Sequence, residues 1–345
     1  MNSKFRQKKS ILAGFNELFE RKTIKGFANR IEAIKDLDLP RQEALCPFLD
    51  PGSSLLLILF APAQSVLTER QLPGWWPGSL LPWQITPERT LVLTERFLLV
   101  ATTSRQPGFS RETRLVGERD EPSLNKLADE PPVVTAIPLA DILYLEMATV
   151  LLSSWTELVW VHDGRLDQLR IHYNTVSRPL FEELASQIRP AMLASVGLTL
   201  SETARPQDQG LELLAGMPYK FHSLIPLWLL LPGEPVLAAV FRPSIWSRER
   251  SLFNRHIASK MALVRTDGYL IIAQEDLTSE EDSHGLVTQF CPLPSVRRIA
   301  LNPSSAGQEL VITLSLHGLD HTLRRAFPPE AQTALQDFVN SIIPH

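Results

Sequence analysis

Apolar and polar positions along this chain fall into short alternating runs. Residues 261–273 read MALVRTDGYLIIA, two apolar runs pinched around Asp267-Gly268. Residues 89–101, RTLVLTERFLLVA, repeat that shape around Glu95-Arg96. Short apolar runs broken by a polar pair predict a β-hairpin, and Asp-Gly suits the tight turn because it accepts positive φ at little cost. Finding the hairpin twice predicts a duplicated β unit.

The matches continue on both sides. Residues 48–62, FLDPGSSLLLILFAP, align without a gap to residues 229–243, LLLPGEPVLAAVFRP. Pro51-Gly52 meets Pro232-Gly233, Phe60 meets Phe241, and Pro62 meets Pro243. A Pro-Gly turn feeding an apolar run that stops at proline is a strand with defined ends. Beyond the hairpin, residues 136–139 match 290–293, Ile142 matches Val296, and 157–161 match 309–313. Turns are expected at His162-Asp163-Gly164 and His317-Gly318, followed by strands at 167–173 and 320–327.

Each repeat closes with apolar residues at three-to-four spacing. These are Leu180, Phe181, Leu184 and Ile188 in the first, and Ala334, Leu335, Phe338 and Ile342 in the second. That stripe predicts a helix that covers the open end of a small sheet. The expected organisation is a helical arm over 1–44, a first unit with loop insertions over 45–195, a linker over 196–221 and a second unit over 222–345. In the arm, Leu12, Phe15 and Phe19, then Phe27, Ile31 and Ile34, follow the helical period.

The ordered features LLPGEPVLAAVF, ALVRTDGYLIIA, the junctions CPLPSV and IPLADI, and the last helix resemble the pleckstrin-homology (PH) fold. The resemblance is to its bacterial PH-like and GRAM-like relatives. It covers residues 222–345 more fully than 45–195. It implies an α+β chain of two PH-like β barrels or sandwiches, each with a C-terminal capping helix. It also implies a recognition or scaffolding module without catalytic residues or cofactors. Some members of that family bind anionic lipid headgroups, and many bind only proteins.

Composition narrows the picture. The 345 residues suit two domains, and 44% hydrophobic with 21% charged residues is ordinary globular usage. The 27 prolines mark many strand ends and loops. A net charge of −4 carries no global nucleic-acid signature. Residues 1–35, however, hold nine basic and three acidic side chains, a net +6 that leaves −10 for the rest. A basic end on an acidic body suits either self-docking or an anionic partner surface. No apolar run reaches the ~20 residues of a membrane span. Two cysteines without CxxC spacing fit a reduced, cytoplasmic chain, with peripheral membrane attachment as the alternative.

Two sets of side chains are candidates for contact. Arg242, Arg248, Arg250, Arg255, Lys260 and Arg265 follow the first strand of the second repeat and run into its hairpin. In lipid-binding PH domains the corresponding strand–loop–strand carries the headgroup-binding cations, and guanidinium forks suit phosphate. A solvated or protein-facing patch is the competing reading. Trp75, Trp76 and Trp83 lie among prolines in the first repeat, a composition suited to a protein contact or to packing on the parent unit. His317, Asp320 and His321 have metal-ligand residue types but flank a strand turn, where they would not converge. No GxSxG, GxGxxG or P-loop spacing occurs. The expectation is therefore a non-enzymatic interaction module with a protein partner, no cofactor, no metal and no nucleic acid. Attachment to anionic lipid is the alternative, and an enzyme of unassigned class is more distant.

Overall fold

The computed structural model describes residues 26–49, 54–67, 83–103, 131–150, 153–195, 209–247, 255–276, 285–304 and 307–342. The chain is α+β, with antiparallel sheets and short helices. Residues 1–25 of the expected arm lie outside the described residues. The remainder of that arm is not one helix. β1 (Asn29–Arg30) pairs with residues 59–60, and a helix, α1, spans only Leu39–Leu45. Asp38 accepts a bond from Arg41 N and caps its start, and Pro40 sits in the first turn, where a missing N–H is tolerated.

The first repeat lays down β2 (Leu55–Ala61), β5 (Arg89–Thr94), β6 (Phe97–Thr102) and β7 (Val133–Pro138). A small hairpin of β3 (Ser65–Leu67) and β4 (Trp83–Ile85) is inserted after β2. β8 (Ile142–Val150), β9 (Ser153–His162), β10 (Arg165–Asn174) and helix α2 (Arg178–Ser195) complete the unit. The second repeat has the same order. It runs through β11 (Ala238–Arg242), an inserted hairpin of β12 (Ile245–Ser247) and β13 (Arg255–Ala258), β14 (Met261–Arg265), β15 (Tyr269–Glu275) and β16 (Leu286–Pro292). Then come β17 (Val296–Ser304), β18 (Gly307–Leu316), β19 (Leu319–Phe327) and helix α4 (Gln332–Ile342). The short helix α3 (Tyr219–Leu224) and a π-helical turn, Ile225–Leu229, lead into it.

The ladders agree rung by rung. Phe60 pairs with Thr90 as Phe241 pairs with Ala262, and Thr90 with Ala101 as Ala262 with Ala273. Phe97 pairs with Pro138 as Tyr269 pairs with Pro292. A bulge follows Ile142 in β8 and Val296 in β17. The two-residue turns Asp163-Gly164 and His317-Gly318 both take positive φ, the left-handed pair that matches strand twist. One sequence match is displaced. Tyr144 pairs with Val159 and Arg298 with Thr313, so Val159, not Val161, corresponds to Thr313.

Two self-contained barrels are not what these strands build. Among the described residues no sheet closes on itself. Instead β16 of the second repeat pairs with β8 of the first, from Leu286↔Thr149 to Phe290↔Leu145. The result is a seven-stranded sheet, β10-β9-β8-β16-β15-β14-β11. Pairing β8 with β16 satisfies backbone groups that an open edge would leave to solvent.

That shared sheet separates two cores. On one side Val264, Tyr269, Ile271, Phe290 and Leu145 pack with α2, the lead-in helix and the sheet β1-β2-β5-β6-β7. On the other, Leu263, Leu270, Ile272, Leu143 and Val159 pack with β17–β19 and α4. A smaller third core lies between β2, β5 and β6 and the stretch around α1. The central strands are therefore apolar on both faces, which is why they read as continuous hydrophobic runs.

Candidate interaction surface

The hairpins inserted after the first long strand occupy the same place in both repeats. β3 and β4 flank residues 68–82, which contain Trp75-Trp76, and β12 and β13 flank residues 248–254, which contain Arg248 and Arg250. The tryptophan set and part of the basic set thus fall in corresponding segments, Trp75, Trp76 and Trp83 in residues 68–83 and Arg248, Arg250 and Arg255 in residues 248–255, while Arg242, Lys260 and Arg265 lie on or beside β11 and β14. Trp75, Trp76, Arg248 and Arg250 lie outside the described residues. Trp83 opens β4 opposite Leu67, and Arg255 opens β13 opposite Ser247. Trp246 of β12, which the sequence reading passed over, is exposed.

The three remaining cations are held apart. Arg242 ends β11, and Arg265 ends β14 at the opposite end of that ladder, since Arg242 faces Met261 and Arg265 faces Ala238. Four rungs at about 3.4 Å separate those ends by about 14 Å. Arg265 donates to Ser341 O in the last turn of α4, a favourable place for a cation. Lys260 Nζ lies 3.9 Å from Glu275 Oε2, while Lys220 Nζ lies 3.3 Å from Glu275 Oε1. Lys260 and the base of the β12–β13 hairpin adjoin the Arg242 end of the ladder.

Arg242 itself is buried. It donates to Ala326 O at 2.8 Å and to Ser259 O, with its guanidinium 5.7 Å from the Phe327 ring centre. Burial lowers its pKa to about 10, with Arg325 acting in the same direction. The first repeat carries a counterpart on the facing strand. Ala61 pairs with Arg89 where Arg242 pairs with Met261, so the arginine has changed strands on one rung. Arg89 donates to Arg170 O on β10, and burial lowers its pKa to about 10. In each repeat a guanidinium, buried at Arg242 and half-buried at Arg89, therefore bonds the strand before the terminal helix.

A second polar group sits at the seam. Arg325 Nη2 donates to Gln289 Oε1 at 2.8 Å, Gln289 Nε2 to Glu146 Oε2 at 2.9 Å, and Trp155 Nε1 to Glu146 Oε1 at 3.0 Å. Beside this chain is a shallow cavity of about 120 Å³ that Glu275 and Asp276 also line. Burial lowers the Arg325 pKa. The signal available in sequence was a charge inside an apolar strand, Glu146 in ILYLEMATV.

The reactive residue types are engaged otherwise. Cys291 is fully buried and its thiol is pushed up to about 12 by burial, so little thiolate forms at neutral pH. His317 Nε2 lies 2.9 Å from Asp141 Oδ1, Asp320 pairs with Arg297, and the His321 ring packs on Tyr144. Those three residues face three different partners. A further exposed apolar group gathers at the start of α2, where Arg178 lies 3.7 Å over the Trp228 ring beside Leu227 and Val176.

No family model matches the chain, and no curated protein matches it significantly.

Proposed function

We propose that the chain is a non-enzymatic interaction module built from two PH-like repeats fused through a shared sheet, and that its partner is a protein. What supports this reading is that tryptophans and arginines occur in corresponding segments of the two repeats, Trp75, Trp76 and Trp83 between or at β3 and β4, and Arg248, Arg250 and Arg255 between or at β12 and β13. Tryptophan and arginine are the residue types that dominate protein–protein hot spots. Trp246 stands exposed beside the basic stretch of the second repeat, and Trp228 under Arg178 offers the same chemistry elsewhere. The hairpins differ in charge, so the two repeats would not recognise the same surface. A reduced, cytoplasmic setting fits this role, and no described helix is long and apolar enough to cross a membrane.

Anionic lipid is the second reading, and the described cations support it less. Arg242 and Arg265 bond backbone carbonyls within the fold, and Lys260 lies near Glu275, leaving Arg248, Arg250 and Arg255 as the rest of the set for a headgroup. The −10 body outside the basic arm would also resist an anionic surface. Co-sedimentation with phosphatidylserine vesicles and with neutral vesicles, at low and high salt, separates the readings. The protein-partner reading expects no pelleting in any arm. It also expects a partner captured from native extract to be lost on Trp246→Ala or on Arg248→Glu with Arg250→Glu. Salt-sensitive pelleting on anionic vesicles alone, abolished by the two charge reversals, would overturn it in favour of lipid.

A further inference from the structure

The described residues begin at Gly26, and the first of them are held at fixed places on the body. Gln64 Nε2 donates to Gly26 O at 3.0 Å, Ala28 N donates to Ser177 Oγ at 2.8 Å, and Arg30 Nη1 lies 2.9 Å from Glu183 Oε1. Ala28 is buried in the core that contains α2. Residues 28–30 therefore lie along the start of α2. Gly26 is two residues from Ala28, so residues 1–25 join the body within about 7 Å of the Ala28–Ser177 contact.

The surface around that contact is apolar. Val176 and Leu227 are each 71% exposed, and Phe27 and Trp228 are exposed as well. Short links join the four. Phe27 precedes Ala28, and Val176 precedes Ser177, which bonds it. Arg178, next in the chain, lies 3.7 Å over the ring of Trp228, the neighbour of Leu227. Exposed apolar residues scattered singly need no explanation, but a contiguous group indicates a docking face.

The arm matches that face in residue type. Ile11, Leu12, Phe15, Leu18 and Phe19 recur at i, i+1, i+4, i+7 and i+8, the spacing of one apolar helix face. Residues 1–25 also hold seven basic and two acidic side chains, a net +5 that leaves −9 for residues 26–345. Opposite charge favours the arm on the body, and Arg30 with Glu183 already pairs the entering chain with α2 in that sense. Length permits the contact. Residues 20–25 reach up to about 20 Å when extended, enough for the stripe to turn back onto a face beside its own point of entry. A tether this short gives an effective concentration of about a millimolar, at which even a weak contact is occupied.

We propose that the exposed face of Phe27, Val176, Leu227 and Trp228 is the docking site of this chain's own residues 1–25, seated through Ile11, Leu12, Phe15, Leu18 and Phe19. The proposal rests on the point of entry and the apolar face, and not on the partner-binding reading above. A second copy of the chain carries the same stripe, but its docking costs the freedom of a separate molecule, a cost the tether largely removes. With the arm seated, Trp228 is closed to other proteins. The basic side chains of the arm then stay on the acidic body.

Photo-crosslinking in the full chain tests this, with p-benzoylphenylalanine in place of Phe15. Irradiation should join position 15 to residues 174–178 or 225–230 of the same molecule, read by mass spectrometry of the digested monomer. Val176→Asp with Leu227→Asp should abolish those cross-links. Both side chains are exposed, so the variant should fold, and circular dichroism checks that it does. If the pair is unfolded, Leu227→Asp alone serves the same test. The absence of any cross-link, cross-links that map elsewhere, or cross-links that persist in the aspartate variant overturn the proposal. So does a product formed only between molecules, with a yield that rises with concentration, which would assign the face to a second copy.

Discussion

Arg189 of α2 and Glu234 of the Pro-Gly turn before β11 form a buried ion pair across the two repeats, Nη2 to Oε2 at 2.8 Å. Every partner around it is fixed by structure. Glu234 also accepts from Leu231 N and from the Thr266 hydroxyl, and Arg189 donates to Leu229 O. The guanidinium lies 4.6 Å from the Tyr269 ring centre and 4.3 Å from that of Phe290. Gly233, at φ 76°, lets the turn bring Glu234 inward. The terminal helix of the first repeat is thereby bound into the second.

Removing one member of that pair leaves the other buried and unpaired. Arg189→Met and Glu234→Gln should each lower unfolding free energy by about 3–5 kcal/mol, with both repeats melting in one transition. Urea unfolding followed by tryptophan fluorescence and by far-ultraviolet circular dichroism checks both points. Non-coincident curves would show that the repeats unfold separately.

The terminal helices place Leu184 and Phe338 at corresponding positions, and both are buried. Leu184 packs in the core on one side of the shared sheet and Phe338 in the core on the other. Leu184→Ala should cost about 2–5 kcal/mol and Phe338→Ala about 3–5 kcal/mol. Equilibrium denaturation measures both. An unchanged midpoint for Phe338→Ala would mean that α4 does not seal its core.

Much of this arrangement was legible in the pattern of residues. The Pro-Gly turn, the hairpin runs and the helix stripes are local signals, and they fall on β11, β5–β6, β14–β15, α2 and α4. The errors have physical causes. Matching ELVWV to ELVIT slipped by two residues, and a two-residue slip keeps every side chain on its face, so alternation cannot detect it. The barrel expectation failed because edge pairing between repeats is a non-local choice that no local pattern states. The helix expected across 27–34 failed because Asn29, Arg30 and Ile31 bond to the β2 edge, through pairs with Leu59 and Phe60 and a bond from Ile31 N to Ile58 O. At the candidate surface, Arg242 read as a member of a patch because charge says nothing of burial. Its exchange with Arg89 across one rung became visible only when the ladders were in register.

The hairpin turn given to Asp267-Gly268 is pinned one residue earlier. Thr266 Oγ accepts from Gly268 N and Tyr269 N, and Thr94 Oγ likewise accepts from Arg96 N and Phe97 N. Thr266 also donates to Glu234 Oε1 at 2.6 Å, and among the described residues Thr94 has no bond to a carboxylate. Thr94→Val should therefore cost about 1 kcal/mol and Thr266→Val about 2–3 kcal/mol, since the latter also strips a donor from a buried carboxylate. The order of the two losses is the decisive measurement, because equal losses would mean that Glu234 gains nothing from the hydroxyl.

The last prediction concerns acid. His172 on β10 has its pKa lowered from 6.5 to about 4, first by burial and then by the charges of Arg170 and Arg89. The Trp155 ring packs against it at 6.1 Å. The folded imidazole therefore stays neutral where the unfolded one takes up a proton. Stability is unaffected by this group above pH 6.5, is lost as pH falls from 6.5 toward 4, and changes no further below that. At pH 5 the loss assigned to His172 is about 2 kcal/mol. The partly buried His321, also lowered by burial and then by Arg325, adds loss of the same sign. His172→Phe keeps the ring volume and contains nothing to protonate, so its stability should fall less between pH 7 and pH 5 than that of the unaltered chain. Urea unfolding of both proteins at the two pH values gives the difference directly, and parallel losses would show that His172 titrates alike in the folded and unfolded chain.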